Sequence, residues 1–139
     1  MRISTLGLMG AVAFVAATVE ATADPTLECG LMTESAADLG ECLTGQLEVS
    51  HGAMEEALAL ARGGAQEVDR ASGADAAVLG IEASQQAWEA YRDTECQTRA
   101  ILAGAGTGPE PGSMELACAI ELTRERTDAL LRLAAPRGG

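Results

Sequence analysis

Apolar residues recur every three or four positions along most of the chain, and no segment sustains the apolar–polar alternation of a strand. Leu39, Leu43, Leu47, Met54 and Leu58 form a first helical stripe. Ser35 precedes it, with Asp38 three residues on at capping-box spacing. Gly63 and Gly64 are expected to end this helix, and the polar, Gly-containing residues 66–73 to connect it onward. A second stripe, Val78, Ile81, Gln85, Trp88, Arg92 and Cys96, predicts a helix over residues 74–103 that Gly104 and Gly106 stop. Residues 104–112, with Pro109 and Pro111, read as a loop. Ser113 is then expected to cap a third helix running to about residue 134, with Cys118, Leu122, Arg126, Leu130 and Leu133 on its stripe. The tail, residues 136–139, is expected to fray. Three such helices predict an all-α fold, a small antiparallel three-helix bundle forming a single domain.

The N-terminus has a different pattern. Arg2 precedes an unbroken run of 12 small and apolar residues, 6–17, too short to cross a bilayer as a helix. Ala21-Thr22-Ala23 follows, with small residues where signal peptidase reads them. Residues 1–23 are therefore expected to be a signal peptide, with residues 24–139 as the exported domain. Thr26-Leu27-Glu28 before Cys29 lacks the small residues a lipid-modified cysteine requires, so no stable membrane anchor is expected in the mature form.

Export changes the reading of the four cysteines, Cys29, Cys42, Cys96 and Cys118. An even count in an oxidising compartment predicts two disulfides. A zinc site would need paired ligands, and neither a C-x-x-C pair nor a partner for the single histidine, His51, is present. In an up-down-up bundle all four cysteines belong to one end. Matching depth along the helices favours Cys42–Cys96 with Cys29–Cys118. Matching sequence neighbours favours Cys29–Cys42 with Cys96–Cys118. Depth tips the balance to the first pairing and leaves the second open.

Charge narrows the partners. The chain carries a formal net charge of −12, with arginine as its only basic side chain besides His51. Loss of Arg2 and Glu20 with the leader leaves that value unchanged. A nucleic-acid partner is excluded, because phosphate binding needs a basic surface, and an anionic membrane surface is disfavoured. A basic protein is the partner such a charge attracts. With Phe14 in the leader, Trp88 and Tyr91 are the only aromatics of the mature chain. An alanine-rich core of this kind buries little area per residue, so two disulfides at about 3 kcal/mol each matter more than usual.

Residues 84–96 hold the richest chemistry. Gln85, Trp88 and Arg92 share a helix face, and an arginine facing the core needs an acceptor or an aromatic face. Trp88 is expected to anchor the bundle and Arg92 to tie helices together. Arg126 has the same position on the third stripe, and Arg124 and Arg126 are expected to pair along the helix with Glu121 and Glu125. His51 is expected at the surface. No nucleophile–base set, metal set or cofactor motif is present, so no catalytic, cofactor-binding or metal-ligating residue is assigned and no cofactor is implied. The chain is read as a binding protein and not as an enzyme.

Gln85-x-x-Trp88-x-x-Tyr91-Arg92-x-x-x-Cys96, followed by Gly112-Ser113, Cys118, Thr123, Arg126 and Leu130, resembles the LprI-type lysozyme inhibitor family, many of whose members are known only as a domain of unknown function. Cys29 and Cys42, with Thr33 between them, fit the same pattern, so the resemblance covers residues 29–133. It implies a protein that blocks a basic peptidoglycan hydrolase such as lysozyme by protein–protein contact, which fits the acidic charge and the periplasmic or secreted location expected from the leader. The alternative with the same fold is an envelope structural or adaptor protein with a different partner. In either case the motif residues Gln85, Trp88, Tyr91, Arg92, Thr123, Arg126 and Leu130 are expected to serve the fold. The loop of residues 104–112 departs from the pattern. Its Gly104, Thr107, Pro109, Glu110 and Pro111 are the expected partner contacts, because the segment is rich in Gly and Pro and flanked by Cys96 and Cys118.

Overall fold

The computed structural model describes residues 23–104 and 110–135. Among them the chain forms four helices and no strand: α1 (Pro25–Gly30), α2 (Ala36–Ser72), α3 (Ala76–Ala103) and α4 (Pro111–Ala134). The all-α reading holds, and the three-helix bundle is corrected to four helices. Most of the leader, residues 1–22, lies outside the described residues, as do Thr107 and Pro109 of the loop.

The added helix, α1, is too short for periodicity to reveal. Local chemistry makes it: the Asp24 carboxylate accepts from the Thr26 amide at 2.8 Å, and Pro25 occupies a first-turn position where its missing N–H costs nothing. Ser35 caps α2 as the sequence suggests, accepting from the Asp38 amide at 3.2 Å while its hydroxyl donates to the Asp38 carboxylate at 2.6 Å. Gly63 and Gly64 do not end α2. Each glycine costs about 1 kcal/mol in a helix interior, and the buried stripe Leu58, Ala61, Ala65 runs on through them. The stop is Gly73, with a left-handed φ of 72° and its N–H on the Asp69 carbonyl at 2.8 Å. Asp69 also caps the next helix. Its two carboxylate oxygens accept from the Ala77 amide at 2.9 Å and the Val78 amide at 3.0 Å. Ser113 does not cap α4; the helix begins at Pro111, and Ser113 is buried in its first turn.

The long helices run up, down and up. Met54, Ala57, Leu58 and Ala61 of α2 pack with Leu130 of α4, joined by Ile81 and Trp88 of α3. At the other end Leu43 packs with Cys29, Ala117 and Ile120. Cys96, Cys118 and Leu122 form a third cluster beside Trp88. The predicted stripes face this core except at Leu133, which is exposed while Ala134 takes the inward position.

The disulfides are Cys29–Cys42 and Cys96–Cys118, which corrects the pairing that depth had favoured. The missing α1 explains it. Cys29 belongs to α1, which folds back against α2 and α4 and is no extended lead-in. Cys118 lies seven residues into α4, level with Cys96 seven residues before the end of α3. Cys42 lies six residues into α2, so depth alone does not separate Cys42–Cys96 from Cys96–Cys118; α1 brings Cys29 to Cys42 and leaves Cys96 to Cys118.

Candidate functional site

Residues of the α3 motif meet residues of α2 and α4 in one polar network. Gln85 is buried, and its amide serves both neighbouring helices. The Oε1 atom accepts from Arg126 Nε at 3.0 Å. The Nε2 atom donates to Glu89 at 3.0 Å and lies 3.7 Å from the Met54 sulfur. Arg126 also donates to the Ser84 hydroxyl at 3.0 Å. Burial pushes the Arg126 guanidinium below its usual pKa, opposed by the Glu89 carboxylate, and it stays charged because an arginine begins so high.

Trp88 lies between two guanidinium groups. Arg92 Cζ is 5.1 Å from the ring centroid and Arg126 Cζ is 5.9 Å away, both within cation–π reach. Arg92 is only 15% exposed. It donates from Nε and Nη2 to Asp93 Oδ1 at 2.9 and 2.7 Å, and from Nη1 to His51 Nε2 at 3.0 Å. His51, expected at the surface, is half-buried and accepts across the α2–α3 interface. Acceptance requires a neutral imidazole with its proton on Nδ1.

The rest of the expected set is scattered. Tyr91 is 52% exposed, Leu130 is fully buried, and the buried Thr123 hydroxyl has no hydrogen-bond partner among the described residues. Arg124 does not pair along its own helix. It reaches Glu28 of α1 at 2.9 and 3.1 Å and Gln46 of α2 at 3.1 Å. Glu121 faces Arg99 of α3 at 3.8 Å, and its carboxyl is raised above the usual range, first by burial and then by the Asp24 charge. Farther along the bundle Arg62 binds Glu82 through two hydrogen bonds and holds its carboxyl below the usual range.

The end of the bundle that carries the disulfides also carries an open groove of about 610 Å³. Its walls are the first turns of α2 and α4, with Arg92 and Asp93 as the contribution of α3. Past Asp93, α3 is drawn to α4 by Cys96–Cys118 and by Arg99 against Glu121. That leaves the start of α2 uncovered on this side. Leu47, Leu116 and Ala119 give the groove an apolar floor, and Asp93, Glu110 and Glu115 lie along it. Of the loop residues named from the sequence, Glu110 lines the groove, and Pro111 starts α4 beside Gly104. Sequence reasoning missed the groove, because its lining comes from three separated stretches. Its one local signal is the adjacent Arg92-Asp93 pair.

Among the described residues, no three His, Cys, Asp or Glu side chains group as a metal site, and no helix is long and apolar enough to cross a membrane. The fold and this face thus define a small acidic helical protein, stapled twice at one end and concave there. The model of the family described as lysozyme inhibitor LprI matches residues 29–130, and the chain belongs to that family. The match begins at the first disulfide cysteine, ends at the buried Leu130 and takes in the whole Gln85–Arg126 network. No curated protein and no solved structure matches the chain.

Proposed function

We propose that this chain is an exported binding protein that blocks a basic peptidoglycan hydrolase of the lysozyme type by protein–protein contact, with no catalysis of its own. The family match over residues 29–130 carries the reading. A net charge of −12 supports it, since opposite charge speeds encounter with a basic enzyme. The expected leader and the two disulfides support a place in the periplasm or the medium. The loop of residues 104–112 and the acidic groove beside it form the contacting end. An inserted loop or helix end there obstructs the cleft in which the hydrolase holds its substrate.

Gel filtration of the oxidised mature protein with a basic lysozyme tests this. A joint peak of higher mass at low salt is expected, and a variant lacking the centre of the loop, shown helical, is expected to lose it. Separate elution at large excess of a folded protein contradicts the function. Full retention by the loop variant contradicts only the role of the loop.

A further inference from the structure

We infer that the groove between the first turns of α2 and α4 seats an arginine or lysine side chain carried on an exposed loop of the basic partner. This rests on the function proposed above and gives it a contact point. The floor, Leu47, Leu116 and Ala119, is apolar and suits the methylene stem of a long basic side chain. Around it Asp93, Glu110 and Glu115 bring three carboxylates against one guanidinium, so the groove is net negative when His51 is neutral.

That guanidinium is already engaged. Arg92 stacks on Trp88, holds Asp93 Oδ1 with two N–H groups and meets His51 with a third. It offsets the charge of Asp93 and leaves Glu110 and Glu115 as the rim carboxylates it does not hold. Asp93 Oδ2 accepts no hydrogen bond among the described residues, and neither Glu110 nor Glu115 forms an ion pair there. Here a hollow of about 610 Å³ adds apolar contact to the charge, which converts long-range attraction into a defined seat.

The test compares three forms of the full mature protein for binding to a basic lysozyme at physiological salt: wild type, Glu110→Gln with Glu115→Gln in the groove, and Glu56→Gln with Asp75→Asn outside it. Both pairs remove two charges from exposed positions, and circular dichroism confirms the helical fold of each. The groove pair is expected to weaken binding about tenfold, the scale of direct charge contacts in a partly screened site. The outer pair is expected to weaken it by less than about twofold, because those charges act only through the screened field. Equal weakening by the two pairs, or none by the groove pair, overturns the seat and leaves the inhibitor function intact. Absence of binding by the folded wild type overturns the function itself, and the seat falls with it.

Discussion

Gln85 ties α3 to α4 from a buried position. Its buried amide meets α4 through Arg126 and its own helix through Glu89. Gln85→Leu keeps the volume and removes both contacts, leaving a desolvated guanidinium without its acceptor. The expected loss of stability is about 2 kcal/mol, seen as a lower urea midpoint with unchanged slope. A variant as stable as wild type would show that Arg126 finds an equal partner elsewhere. Glu82 makes a prediction in pH. Its folded pKa lies below the ordinary glutamate range because Arg62 hydrogen-bonds the carboxylate. The stabilisation is therefore fully present above that range and is lost as pH falls through it toward the folded value. Glu82→Gln should be less stable than wild type at pH 7, and the gap should narrow as pH falls through the ordinary glutamate range, by urea midpoints at pH 7 and pH 3. A gap of the same size at both pH values would assign the loss to packing.

At the scale of elements, the stripes of α2, α3 and α4 were legible because 3.6-residue periodicity survives in any helix with one buried face. Helix ends were less legible. Gly63 and Gly64 carry the usual signature of a stop, yet buried alanines on either side outweigh it, and the true stop at Gly73 is set by a left-handed backbone. The short α1 has no period to read, and missing it also misled the disulfide pairing. The cap of α3 was hidden for another reason: Asp69 lies on α2 and reaches the Ala77 and Val78 amides across the turn. Asp69→Ala should lower stability by about 1 to 2 kcal/mol, and amide exchange at Ala77 and Val78 should rise above that of the helix centre. Unchanged exchange there would mean the two amides find other acceptors. The candidate site divides in the same way. The Gln85–Trp88–Arg92 face was legible from i, i+3, i+4 spacing. The groove was not, because Leu47, Asp93 and Glu115 meet only once the bundle is folded.

For the whole molecule, fold and charge cooperate. An alanine-rich core with one tryptophan gains little from burial, and the two disulfides hold α1 to α2 and α3 to α4 at the end where the loop and groove lie. Cross-links spanning 13 and 22 residues each contribute about 3 kcal/mol by restricting the unfolded chain. On the proposed function, the same links preorganise the contacting end, so little ordering opposes binding. The net charge of −12 gives the proposed attraction to a basic partner its range, which shortens as salt rises.

The proposed function is inhibition of a basic lysozyme by this stapled, acidic bundle. Its most direct test follows the clearing of a peptidoglycan suspension by the enzyme as the oxidised mature protein is titrated in, at low and at moderate salt. The account predicts inhibition that saturates near one inhibitor per enzyme and weakens as salt rises. Unimpeded lysis at large molar excess, with the helices and both disulfides intact, would contradict it.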